Sequence, residues 1–235
     1  MKRVYEHDTP EFARAGALSD GIFAVAMTLL VAGIAIPSVP DDQLASEIYD
    51  HWDDIFAFAL SFIVIGYYWL SHHAYFGLLR FVDDGMLRIN LVYLGTIAFL
   101  PFPTALIGRY GEDAPIAVVL YAGSLAAASL LEVVSMRRAR QVGAISPPMS
   151  DAVYRHSLRA AVTPGLVFLL SIPVAWIDSR VAMLCWLSIF AIEQVIDRLR
   201  PPDYARWLAA ASRGRKGSLD EVDPALVGAR DDEAQ

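Results

Sequence analysis

The chain has 235 residues, of which 56% are hydrophobic and 19% charged, against roughly 25% charged in an average soluble domain. A single cysteine, Cys185, excludes an intrachain disulfide framework, and the formal net charge of -7 argues against a general nucleic-acid binder. So apolar a chain has too little polar surface to cover a soluble core, which points to an all-α integral membrane protein.

Six apolar runs recur in chain order, near residues 12–36, 52–76, 87–107, 114–134, 157–177 and 181–196. Most approach the ~20 residues that a helix needs to cross ~30 Å of hydrocarbon. The first is set apart from a signal peptide by Glu6, Asp8 and Glu11 before it and by Asp20 within it. Basic residues set the orientation. Lys2, Arg3 and Arg14 lie on the N-terminal side, Arg80 and Arg88 between spans two and three, and Arg137, Arg138, Arg140, Arg155 and Arg159 between spans four and five. The C-terminal stretch adds Arg198, Arg200, Arg206, Arg213, Arg215, Lys216 and Arg230, while the alternate connections hold only Arg109 and Arg180. Six transmembrane helices with both termini cytoplasmic satisfy every loop of a multi-pass membrane protein. The expected organisation is a six-helix domain over 1–200 and a cytoplasmic tail over 201–235, flexible above all beyond Ser212.

The connection 37–54 carries Asp41, Asp42, Glu47, Asp50, Asp53 and Asp54 without Lys or Arg. It reads either as a solvated loop obeying the charge bias or as an anionic vestibule that concentrates cations. Pro101, Pro103, Pro164 and Pro173 are expected to kink spans three and five. Tyr204 and Trp207 suit the headgroup level. Phosphate-loop, serine-hydrolase and zinc-protease motifs are absent, and adjacent His72 and His73 face different ways, so an enzyme or a metal centre is not expected.

Ionisable groups inside a membrane need a partner or a function. Asp20 lies about 12 Å into the first helix, counted from Phe12 at 1.5 Å per residue. Span two returns to the same side and ends at Trp69, His72, His73 and Phe76, so Asp20 is predicted to bond to His72, His73 or Trp69. That contact reads as structural glue between the two spans or as a proton-sensing pair. On a helical wheel Leu18, Gly21, Val25, Thr28, Leu29 and Ala32 form one weakly polar stripe, with Asp20 on another face. Such a stripe fits a plain helix–helix contact as well as a pore lining. Glu132 in span four and Glu193 in span six read as contacts with neighbouring helices or snorkelling groups.

The run Arg14-x-x-x-Leu18-Ser19-Asp20-Gly21 resembles the Arg-x-x-x-Phe-Ser-Asp signature of the transmembrane protein 175 family, in its prokaryotic branch. The continuation from Ile22 to Val31, the string Trp69-x-x-His72-His73, and Leu100-Pro101-Phe102-Pro103-Thr104-Ala105-Leu106 are similar to the family as well. The resemblance covers about the first 110 residues. It implies an endosomal/lysosomal-type potassium channel with one six-helix unit per chain, a homotetramer in the lipid bilayer, and a central pore lined by the first helix (about 12–36). Val25 and Leu29 would be the apolar constriction, Ala32 the outermost apolar layer and Thr28 the hydroxyl layer for potassium preference. Arg14, Leu18, Ser19 and Asp20 would be the signature, joined by Trp69, His72 and His73 in one polar network. Two departures matter: Leu18 for Phe implies looser packing of the first helix, and the short Val25 and Ala32, where the family carries bulkier residues, imply a wider or more easily wetted pore.

The implied function is passive, potassium-preferring cation conduction through a hydrophobic neck. Potassium and other monovalent cations would be permeant species, with no cofactor. The alternatives are a proton-coupled secondary transporter using Asp20 and His72 or His73, and a scaffold protein without flux.

Overall fold

The structure, a computed structural model, describes residues 3–34, 39–110 and 114–211. Six of its helical segments are long and apolar enough to cross a membrane: Pro10–Gly33, Trp52–Phe76, Asp84–Tyr110, Pro115–Gln141, Asp151–Ala175 and Ser179–Arg198. They coincide with the six apolar runs, because hydrocarbon thickness and the penalty on charge are read locally along the chain.

Local chemistry starts each helix. Helix α1 (Pro10–Leu29) opens on Thr9, whose Oγ1 accepts from the Phe12 amide, with Pro10 in the first turn where no amide is needed. A single 3-10 turn, Leu30–Gly33, extends it. A short α2 (Leu44–Asp50) precedes α3 (Trp52–Phe76). The carboxylate of Asp83 caps α4 (Asp84–Phe99), and Pro101, lacking an amide proton, separates α4 from α5 (Pro101–Tyr110). Span four is α6 (Pro115–Gln141), and span five is α7 (Asp151–Ala175), capped by Ser150 and running through Pro164 and Pro173 as one helix. Span six is two helices, α8 (Ser179–Cys185) and α9 (Ser188–Arg198). No proline explains that break. Trp186 at the junction donates through Nε1 to Ser171 Oγ at 2.9 Å and stacks on Tyr121 at 5.3 Å, so packing places it.

The core lies where α1, α3, α4, α6 and α7 meet, around Phe23, Ile65, Tyr93, Leu94, Ile97, Val118, Leu125 and Phe168. Helices α6 and α7 pack together most extensively. Gly165 allows it: a Cβ there would lie 2.7 Å from Ser129 Cβ.

One end of the bundle gathers connections that sequence periodicity left anonymous. Strand β1 (Val4–Glu6) pairs antiparallel with β2 (Phe81–Asp83), Tyr5 opposite Val82. The Arg80 amide bonds the Ala144 carbonyl, and the Ser146 amide bonds that of Leu78. Asp83, besides capping α4, receives Arg138 Nη2 at 2.5 Å. The two-stranded sheet is an addition to an otherwise helical fold. Residues 204–211, also helical, dock on this end through Trp207 Nε1 to the Pro147 carbonyl at 3.0 Å and a Ser150–Asp203 bond. Both described termini thus sit at one end, as an even number of spans requires. The flexibility expected of the tail beyond Ser212, and the 35–38 part of the first connection, lie outside the described residues.

Candidate functional site

Helix α1 has two unlike faces. Phe12, Ser19, Phe23, Ala26 and Leu30, spaced by three, four and seven, are buried. The opposite face is bare: Leu18 is 52% exposed, Val25 54% and Leu29 50%, and Gly21, Thr28 and Ala32 are exposed with them. Nothing lies within 4 Å of a Cβ built on Gly21. The stripe picked out by the wheel is therefore the face of the first span that the described residues of its own chain leave uncovered. Leu18, the departure from the signature, packs into no core of this chain, so its loss of an aromatic ring leaves the intrachain packing of α1 intact.

The 3-10 turn adds something a uniform wheel misses. Residues three apart eclipse in that geometry, so the turn carries Ala32 towards the line of Leu29 rather than past it. Thr28 Oγ1 donates to the Val25 carbonyl at 2.9 Å. Its proton is thereby used within the helix, and its oxygen lone pairs stay free for an electropositive neighbour.

The covered flank of α1 is held by a directed chain of hydrogen bonds. Ser19 Oγ donates to the Ala15 carbonyl at 2.9 Å and accepts from Asn90 Nδ2 at 3.0 Å. With the amide nitrogen committed, Asn90 Oδ1 accepts from His72 Nε2 at 2.8 Å. The His72 ring stacks on Tyr93, with centroids 5.4 Å apart and planes 8° apart, and on Phe76. Tyr93 Oη donates to Glu132 Oε1 at 3.3 Å. Ser19, Asn90 and His72 are all buried, so each lost partner would strand a polar group.

Asp20 sits to one side. Trp69 Nε1 donates to its Oδ1 at 2.9 Å, which selects Trp69 from the three predicted partners. His72 turns to Asn90 instead, and His73 is exposed with its ring 5.5 Å from that of Trp69. Asp20 and His72 are thus bound in separate arms of the network rather than as a pair. Arg14 is exposed, with no acidic partner among the described residues. Glu193 receives Tyr67 Oη at 2.6 Å, a helix–helix contact as expected. Asn90 is the member that the sequence reading passed over. An amide within the first turns of an apolar span was the available signal, since buried amides join helices in a membrane as charges do.

Residues 14–101 match the family described as endosomal/lysosomal potassium channel TMEM175. The chain also superposes on the crystal structure of a lysosomal potassium-selective channel TMEM175 homolog from Chamaesiphon minutus, with a TM-score of 0.65 and 27% identity, covering 80% of this chain and 99% of that one. Over residues 14–101, and in its fold, the chain is similar to the TMEM175 channels. Another relative, a potassium channel of Streptomyces collinus, is 29% identical over 178 residues, 74% of this chain and 86% of that protein. A potassium channel of Chamaesiphon minutus is 36% identical over 126 residues, 52% of this chain and 62% of its own length. Its six membrane-length helices make it a multi-pass membrane protein, and the relatives it resembles are named ion channels, not enzymes. The family match contains α1 from Arg14 onward, the Ser19–Asn90–His72 chain and the Asp20–Trp69 bond.

Proposed function

We propose that the protein is a potassium-preferring cation channel in which four copies bring the bare face of α1 together around a central pore. One observation carries the reading: the face of α1 bearing Val25, Thr28 and Leu29 is left uncovered by the described residues of its own chain, while the opposite face is locked into the core. A membrane helix with an apolar, hydroxyl-bearing face open along its length needs either lipid or copies of itself against it. The names of the relatives favour the second.

In this arrangement rings of Val25 and Leu29, with Ala32 beyond, form a neck too dry for ions, because stripping water from a cation is expensive. Opening moves the rings apart until the neck wets. Four Thr28 oxygens, their protons already donated to Val25 carbonyls, offer lone pairs where an ion sheds part of its shell. Potassium holds water less tightly than sodium, so partial dehydration favours it, and the preference is modest beside that of a continuous carbonyl filter. The short Val25 and Ala32 make the neck easy to wet. The channel domain spans 1–200, both termini and 201–235 face the cytoplasm of a bacterial or archaeal cell, and no cofactor takes part.

The test is reconstitution in liposomes under a potassium gradient. Potassium flux with unitary currents, and a potassium-to-sodium permeability ratio that changes in Thr28→Ala, support the proposal. Absence of flux at every voltage and pH sinks it. Slow, saturable exchange without unitary currents, abolished by Asp20→Asn, would instead identify the proton-coupled carrier.

A further inference from the structure

Away from α1, helices α6 and α7 leave a trough of about 370 Å³ between them on the outside of the bundle. Small residues make its floor: Gly123, Ala126 and Ala127 on α6, and Gly165 on α7. Large apolar side chains make its rims, Leu130 at 62% exposure, Leu166 at 51% and Leu169 at 54%. The shaft offers no hydrogen bond for recognition, since Ser129 already shares its hydroxyl with Tyr68 Oη at 2.6 Å.

Polarity is confined to one end. Arg137 lines the trough there, one turn of α6 beyond Val133. On α7 the rim positions Leu169, Leu166 and Val162 continue by steps of three and four to Arg159 and Arg155 on the same helix face. Their basic neighbours are engaged, Arg138 with Asp83 and Arg140 with Asp151 and the Tyr154 ring. Arg137, Arg155 and Arg159 have no acidic partner among the described residues, and all three are exposed. Lengths agree with this polarity. Gly123 to Val133 spans about 15 Å at 1.5 Å per residue, half of the ~30 Å hydrocarbon core. Arg137 then falls about 6 Å further along the helix, past the end of the apolar run 114–134.

We propose that this trough is a binding site for one anionic phospholipid, an acyl chain lying along α6 and α7 and the phosphate held by Arg137 with Arg159 and Arg155. An anionic lipid is favoured over a protein helix because Arg137 on α6 and Arg155 and Arg159 on α7 gather exposed positive charge at one end of an otherwise apolar trough. An anionic headgroup beside a cluster of arginines is favoured by about 1 kcal/mol per charge. The site is independent of the pore and stands whether or not α1 lines one.

Native mass spectrometry of the full-length protein in detergent, titrated with phosphatidylglycerol or phosphatidylcholine of the same chains, tests it. Phosphatidylglycerol adducts should exceed phosphatidylcholine adducts several-fold. Arg137→Gln should weaken phosphatidylglycerol binding about fivefold, the weight of one arginine at an anionic headgroup, while Arg137→Lys retains most of it. Ala127→Phe, filling the floor, should weaken both lipids without touching a charge. Equal binding of the two lipids, an unchanged Arg137→Gln, or equal displacement by soluble glycerol 3-phosphate would overturn the proposal. So would a disulfide between copies carrying Leu130→Cys in a Cys185→Ser background, which would make the occupant a second protomer.

Discussion

The two sides of α1 share one helix, one depth in the membrane and nearly one hydropathy, yet they are specified in different ways. The inner side is fixed by shape and by partners: Phe23 is fully buried against His72 and Tyr93, and Ser19 is bound through Asn90 to His72. The outer side is fixed by nothing among the described residues of its own chain. Where lipid surrounds a bundle, apolar residues gain little by leaving it, so packing and hydrogen bonds decide what holds the helix. A face that neither packs nor bonds within the chain is free to be selected for something else.

The contrast can be broken from the inner side first. Phe23→Ala should have the largest effect, lowering stability by about 3 kcal/mol through the cavity it leaves. A thermal melt of the detergent-solubilised protein measures it, and a change below about 1 kcal/mol would mean that α1 is not anchored there. Asn90→Leu strands His72 Nε2–H and removes the donor to Ser19, and should lower stability by about 1–3 kcal/mol. The double variant Asn90→Leu with His72→Phe should recover part of that loss, since removing both partners leaves less unsatisfied. If the double variant is no better than the single, the His72–Asn90 bond contributes little.

Between the faces, Trp69→Phe removes the donor to Asp20 and should cost about 0.5–1.5 kcal/mol, the range of one ordinary hydrogen bond. A shift as large as that of Phe23→Ala would promote Asp20 from the flank to the core of the fold. On the outer face Val25→Asn and Thr28→Ala should melt within about 0.5 kcal/mol of the parent. Yet Val25→Asn should raise potassium leak in liposomes, and Thr28→Ala should change the potassium-to-sodium ratio. Unchanged transport in both variants places the neck elsewhere, and strong destabilisation shows the face to be core after all.

Much of the fold was legible because the rules concerned are local. Six apolar runs became six membrane-length helices, and Pro101 stands at the break in span three, while Pro164 and Pro173 leave span five one helix. The same locality explains the omissions. The break between α8 and α9 follows from Trp186 meeting Ser171 and Tyr121, which no window of neighbouring residues contains. The β1–β2 pairing joins segments more than seventy residues apart, and three residues of alternation carry too little pattern to announce a strand. At the site, depth counting brought Asp20 level with Trp69, His72 and His73 but left their partners open, because depth fixes height and not direction.

The sequence alone determined how many times the chain crosses the bilayer and which connections share an end. It also placed a weakly polar stripe on the first span. Each depends on chemistry summed along the backbone against a solvent of known thickness. Only the tertiary structure decided that this stripe is the side left bare, that Asp20 belongs to Trp69, and that Asn90 carries His72 to Ser19. Those outcomes depend on which helices come into contact, and a hydrogen bond between residues 71 positions apart exists only once packing has brought them within 3.0 Å.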